Sequence, residues 1–349
     1  MSQITELKSI QIILFFLLFG SPIVATAQKT DSLYHINGNI LLGEIKKLEY
    51  GILDFKMDGM GTIKVEIEKI KTLKSNKLFE LVTTHGRLIY GFIDSSNVAG
   101  SIEVNSGYDS SIIHLYQVVE IFPIKKTFFL RLSGRVNFGF NYTKASNVGR
   151  VNFDWDLKYR NKKTSVSIFS SSVETFTPND TLPPSSKYDI SISMERKIKG
   201  IWSGITYISG NQNSELGLDL RLKFAVGMLG DIVHTNFNRL YLITAIVPNY
   251  ELADNQTSRT SNFEGQFSIS YEIFKRNLPK IALGTKLDYY PSFTQKRHRI
   301  DYNLDLNVEI ISNFTIGLKF YYNYDSNPAA IEAANDDYGF TTTIGYSFN

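Results

Sequence analysis

Five histidines carry most of the chain's capacity for acid–base or metal chemistry: His35, His85, His114, His234 and His298. No Gly-x-Ser-x-Gly elbow and no His-Glu-x-x-His pair includes any of them. Neither a turn-mounted nucleophile nor a helix-borne metal site is therefore written here. His85 stands in an evident turn before Gly86, His234 in a short connection and His298 near a loop rim. Cysteine is absent, which excludes thiolate nucleophiles, thiolate metal sites and disulfide staples together. A Ser–His pair assembled through space stays open, since triads are defined by geometry. The motifs nevertheless point away from an enzyme, and they imply no cofactor.

The charged residues offer a different chemistry. Arg131, Arg135, Asp154, Asp156, Arg221, Lys223, Asp301, Asp305 and Lys319 recur at alternate positions, opposite apolar neighbours. On long strands such charges share one face, and if the strands close into a barrel they face its lumen. They then either line a narrow aqueous path and set its selectivity, or pair with one another and fill the interior. Twelve strands enclose more room than the eight that side chains can just fill. Both readings stay open at this point.

The elements that would hold these charges show a period of two. Phe314, Ile316, Leu318, Phe320, Tyr322 and Tyr324 share one face, opposite Thr315, Gly317, Lys319, Tyr321, Asn323 and Asp325. Ile300 to Ile310 oppose Asp301 to Glu309 in the same way, as do Leu216 to Val226 and Val151 to Tyr159. Alternation kept up for roughly ten residues at a time fits strands that cross a bilayer at a tilt, whereas sandwich strands usually run about five or six. The 20 Tyr and 24 Phe suit strands, and they suit an aromatic girdle at each interface. The segments fall near 127–142, 148–160, 163–175, 186–197, 199–210, 213–227, 236–248, 261–274, 279–291, 298–311, 313–325 and 336–349, about twelve strands. The seventh is the weakest, because Leu240 to Val247 is apolar on both faces. Short connections such as 161–163 and 199–200 alternate with long ones at 176–185, 249–260 and 326–335. Such barrels put short turns in the periplasm and long loops outside.

Two regions precede the barrel. Lys8, the apolar run Ile10 to Val24 and Ala25-Thr26-Ala27 read as a signal peptide, residues 1–28, cleaved near Ala27 or Gln28. Residues 29–125 contain a repeat at a spacing of ~48: Gly38, Gly43 and Ile45 return as Gly86, Gly91 and Ile93, and Ile67, Ile70 and Leu73 as Leu115, Val118 and Ile121. Each copy reads as a small, strongly bent β-module, so two tandem modules are expected in the periplasm. Glycine at matched positions lets strands bend or take positive φ. Net charge is +3, which indicates no nucleic-acid partner.

The last segment places Tyr338, Phe340, Thr342, Ile344, Tyr346 and Phe348 on one face. This resembles the terminal signal read by the outer-membrane insertion machinery, although Asn349 follows the aromatic residue. The stretch FLRLSGRVNFGFNYTKASNVGRVNFDWDLKYR, with Gly134, Gly139 and Asn141 in its first hairpin, resembles the DUF481 family, also called the salt-induced outer membrane protein family. The resemblance covers about 127–349 and implies an outer-membrane barrel. The expectation is an all-β protein: an antiparallel transmembrane β-barrel of about twelve strands over 126–349, behind a small periplasmic β-domain of two tandem repeats. Its expected partners are outer-membrane lipid, the insertion machinery and a periplasmic protein. Three functions fit: a narrow small-solute or ion channel, as its alternative a closed structural or partner-binding barrel, and, fitting least, a lipid-modifying enzyme.

Overall fold

The computed structural model describes residues 31–107, 109–125, 128, 131–143, 148–176, 185–214, 218–253, 259–311, 314–327 and 335–346. The expected signal peptide and the C-terminal Phe348 and Asn349 lie outside them. The described residues form two antiparallel sheets. The first holds β1 (Asp31–His35), β2 (Ile40–Glu49), β3 (Ile52–Met57), β4 (Gly61–Glu66), β5 (Ile70–Thr83), β6 (Leu88–Ser95), β7 (Ser101–Asn105), β8 (Ser110–His114) and β9 (Val118–Pro123). The second holds β10 (Leu132–Thr143), β11 (Val148–Asn161), β12 (Thr164–Phe176), β13 (Ser185–Lys199), β14 (Trp202–Asn213) and β15 (Leu218–His234). It continues through β16 (Asn238–Ala253), β17 (Arg259–Lys275), β18 (Lys280–Pro291), β19 (His298–Ile311), β20 (Phe314–Asp325) and β21 (Asp336–Tyr346).

The repeat is visible as two 3₁₀ turns, Ile67–Lys69 and Leu115–Gln117, at the expected offset. The copies are not separate modules, however. They share one sheet, in the order β4-β3-β2-β1-β5-β6-β7-β8 with β9 pairing β2 and β5. They also share one core, in which Leu33, Ile45 and Phe55 of the first copy meet Phe79, Leu81 and Ile121 of the second. Fusion follows from β5, whose 14 residues close the first copy with their first half and open the second with their last. The glycines divide by cause. Gly38 and Gly86 take φ of +91° and +71°, where a side chain is strained. Gly43 and Gly91 have no such φ. A Cβ on Gly43 would lie 2.6 Å from the Lys56 carbonyl, and one on Gly91 2.7 Å from that of Asn105.

The second sheet runs in simple order from β10 to β21. Cross-strand partners share a face, so one face can be followed through Asp154, Ser171, Asp189, Asn211, Arg221 and Glu251, each paired to the next. Contacts on this face jump strands. The Tyr207 hydroxyl on β14 donates to Gln266 on β17 at 2.8 Å, and the Lys223 ammonium on β15 sits 5.6 Å from the Tyr290 ring on β18. In a flat sheet three strand spacings span about 14 Å. The sheet is therefore rolled with its polar face inward, which makes it barrel-like. No pairing joins β10 to β21 among the described residues. The strand expected to be apolar on both sides, β16, turns Leu242 and Ile246 outward and packs Ala245 and Val247 inward against Ala225 and Tyr207.

Because Gly43 and Gly91 are crowded by a neighbouring backbone, alanine at either position forces the strands apart. Each single change is expected to destabilise the first sheet by ~1–3 kcal/mol. The check is the urea midpoint for loss of its protection against protease in the full chain. Gly59→Ala serves as a reference with open space around it but a strained φ of +73°.

Candidate functional site

The rolled sheet is inverted relative to an ordinary core. Its inner face buries Glu264 at 0% exposure, along with Ser268, Ser270, Asn249, Asn262 and Asp288. Its outer face leaves Phe340 71% and Phe267 52% exposed, with Ile192, Ile208, Phe224, Ile246 and Leu287 also bare. Polar groups taken out of water need partners, and the interior supplies most of them. Ser171 donates to Asp154 at 2.6 Å, Asn211 to Asp189 at 2.5 Å and Arg221 to Glu251 at 2.8 Å. Asn249 and Asn262, directly paired across β16 and β17, are among the exceptions, with Asn152, Ser203 and Glu272: both of their amides are buried without a protein hydrogen bond.

At the end carrying the long loops, Arg297 folds inward from the β18–β19 loop and is only 2% exposed. Its guanidinium grips Asp325 on β20 through two bonds, of 2.8 and 2.5 Å, and reaches Glu251 on β16 at 2.9 Å. Four strand spacings would separate those carboxylates by about 19 Å on a flat sheet, so one side chain ties two separate walls of the roll together. Below it, Arg299 bonds Glu264 at 2.6 Å and lies 4.8 Å from the Tyr290 ring. Between this constriction and the short turns lies a cavity of about 460 Å³. Ser167, Ser191, Ser193, Ser209, Lys223 and Gln266 are among its lining residues.

At the opposite end the first sheet docks on the short turns. Arg160, at the end of β11, bonds Glu80 at 2.9 Å and Glu120 at 3.0 Å, and lies 3.6 Å from the centre of the Phe122 ring. His234 reaches within 3.9 Å of Glu120, and Lys197 and Arg239 both pair with Asp231 nearby. Asn236 donates to the carbonyls of Val118 and Tyr116 at 3.2 and 3.3 Å. Tyr50 packs at a tilt against Phe274 with ring centroids 4.5 Å apart. Tyr50 and Gly51, at φ of 49° and 62°, both take the positive values a tight hairpin turn demands.

The charges singled out in the sequence separate into groups. Arg221 and Lys223 lie on the inner face of β15 toward the loop end, where Arg221 bonds Glu251 and the Lys223 ammonium meets the Tyr290 ring. Asp154, Asp156 and Arg135 lie on the inner side of β10 and β11, where Arg135 pairs with Asp156 at 2.9 Å. Lys319 and Asp305 form a similar pair, 3.3 Å apart, between β19 and β20. Arg131 falls elsewhere. It precedes β10 and donates to the Lys125 carbonyl at 2.7 Å, at the junction of the sheets. Arg297, Arg299, Glu251, Arg160, Glu80 and Glu120 were not in that selection. Alternation could have flagged Arg299, Glu251 and Arg160, but Arg297 sits in a loop and Glu80 and Glu120 in the other sheet. The histidines do not converge. His298 stacks on Tyr289, and His114 contacts the Ser101 hydroxyl at 3.1 Å. That serine is 0% exposed, so no substrate reaches its hydroxyl. Among the described residues no three His, Asp or Glu side chains gather as metal ligands.

Burial alone would raise the pKa of Glu120. Arg160, then Lys197, His234 and Arg239, outweigh it and hold this carboxyl below its ordinary 4.5. A carboxylate with a depressed folded pKa stabilises docking fully above its unfolded pKa, and that contribution is lost as pH falls through the depressed value. Spin labels on Asp109→Cys and Lys275→Cys should therefore give a narrow distance distribution at pH 7 that broadens below about pH 4. Adding Glu120→Gln should broaden it already at pH 7. A width independent of both changes contradicts the clamp.

No curated protein matches the chain. A sequence profile does match: that of the family described as "Protein of unknown function, DUF481", over residues 133–348, the whole rolled sheet from the start of β10. Because the profile covers well over half of the sequence, the chain belongs to the DUF481 family.

Proposed function

We propose that this chain is an exported, non-enzymatic outer-membrane β-barrel protein whose lumen is a narrow conduit for small polar solutes or ions. The observation that carries the reading is the inversion of faces: exposed Phe, Ile and Leu outside, buried Ser, Asn, Asp, Glu and Arg inside. Water outside would make that outer face a large exposed apolar patch, which soluble monomers rarely carry. Lipid outside makes it the ordinary lining of a bilayer span. The short turns then face the periplasm together with the first sheet. The terminal strand presents Tyr338, Phe340, Ile344 and Tyr346 outward for the insertion machinery.

The conduit reading rests on the serine-rich cavity and on the amides of Asn249 and Asn262, whose hydrogen-bonding capacity is left for water or a polar solute. Arg297 across the walls favours a second reading, a closed structural barrel. Planar-bilayer recording separates the two. On the conduit reading the wild type passes small currents, and Arg297→Gly raises the unit conductance by untying the constriction. Silence from both proteins would leave the structural barrel.

The faces give a second test. Leu306 and Leu318 are paired with one another on the outer face, so Leu→Arg at either should cost about 2–4 kcal/mol near the midplane. Lys319→Glu, on the inner face, should assemble normally. The readout is heat-modifiable migration on gels and recovery in the outer-membrane fraction. Equal tolerance of all three changes would remove the lipid-facing side.

A further inference from the structure

A second cavity, about 330 Å³ in volume, lies between the first sheet and the β10–β11 end of the barrel. Its size is at the lower end of the ~300–1,000 Å³ typical of small-molecule sites. Seven Lys or Arg residues line it against three carboxylates, Glu49, Asp54 and Glu80. Some of that charge is answered: Lys46 bonds Glu44 and Lys47 bonds Glu49, each at 2.6 Å, and Arg160 holds Glu80 and Glu120. Lys125, Lys158 and Lys162 have no ion-pair partner among the described residues. Phe122, Pro123, Ile124 and Leu132 supply an apolar wall beside these ammonium groups. Burial lowers the pKa of Lys125, and Lys46 and Lys77 add to that by repulsion, with Glu44 opposing. An anion placed beside Lys125 would relieve this repulsion. The pocket also reaches inward. A small cavity of about 110 Å³ shares Glu49, Lys158, Arg160 and Lys162 with it, and shares Lys158, Ser165 and Glu195 with the central cavity.

We propose that this junction cavity binds a phosphate group, with Lys125, Lys158 and Lys162 as its cationic contacts and the wall of Phe122, Pro123, Ile124 and Leu132 receiving an apolar portion of the ligand. Lysine serves phosphate as a mobile point charge, and three unpaired lysines around one cavity suit a group of more than one negative charge. The phosphate has two sources, a phospholipid head group at the inner surface of the membrane or a free phosphate ester. The lipid source rests on the membrane reading above; the phosphate site does not.

The test uses the full chain purified in non-ionic detergent, with native mass spectrometry as readout. Three probes are offered: inorganic phosphate, short-chain phosphatidylglycerol and phosphatidylcholine of the same chains. For a lipid site, phosphatidylglycerol should bind saturably and at least about tenfold tighter than phosphatidylcholine, with inorganic phosphate competing. Phosphate binding without preference between the lipids assigns the site to free phosphate esters. In either case Lys125→Gln with Lys158→Gln should weaken binding about tenfold or more. Lys74→Gln, on an exposed pair with Asp94, should not. Unchanged heat-modifiable migration shows that the double variant is still folded, and Lys162→Gln alone provides a milder version. Binding that is equal for wild type and double variant, or absent for every probe, overturns the proposal. Failure of the barrel reading shows separately, as recovery in the soluble fraction, so the two failures cannot be confused.

Discussion

A strand has two faces, and a slip of one residue exchanges them. Every property of the rolled sheet depends on twelve strands keeping the same parity. The cross-strand registers show how this is done. Irregularities occur between Lys197 and Lys199, Asn211 and Asn213, Leu218 and Leu220, Asp231 and Val233, and Glu309 and Ile311. All lie near strand ends. Through the middle of the sheet the pairing runs unbroken, so Asp154 and Glu251, five strands apart, still share a face. Extra residues are absorbed where they turn or end a strand, and not where they would flip a charge into the outer surface.

Rolling such a sheet creates a second problem, an interior full of groups that need partners. Arginine solves most of it at the two ends. Its planar fork can serve carboxylates on two elements at once. Arg297 does this between β16 and β20, and Arg160 does it between β5 and β9 of the docked sheet. One arginine narrows the loop end, and the other fastens the first sheet beneath the turn end. The central region, between these clamps, carries serine, asparagine and lysine around a cavity. That gradient, from crowded ion pairs at the ends to small polar side chains in the middle, is the physical basis for reading the interior as a constricted path.

Much of this was legible because period two is a local property. Each of the expected segments holds a strand and most ends differ by three residues or fewer, although β15, expected over 213–227, runs from Leu218 to His234; the inner positions of Arg221, Lys223, Asp301, Asp305 and Lys319 follow from parity alone. The two-faced apolar character of Leu240 to Val247 looked like weakness, yet it reflects a small apolar cluster inside the roll. What sequence could not give is what joins distant segments. The repeat was visible, but its fusion into one sheet depends on a single long strand, β5, serving both copies. Arg297 is one residue among several in a loop, and nothing local marks it as the tie between β16 and β20. Arg131, assigned to the barrel by its neighbours, belongs to the junction because β10 starts one residue later. Glu80 and Glu120 carry no signal until Arg160 is seen beside them.

The central claim is that the outer face of the rolled sheet meets lipid while its inner face meets water. A nitroxide scan across β19, one label at a time from Ile300 to Ile310 in reconstituted full-length protein, tests it most directly. Accessibility to oxygen, which partitions into lipid, should peak at the even positions beginning with Ile300. Accessibility to a polar nickel reagent should peak at the odd positions from Asp301 to Glu309. Two profiles alternating out of phase at a period of two are the predicted result. Profiles that rise and fall together, or that show no alternation, would contradict it.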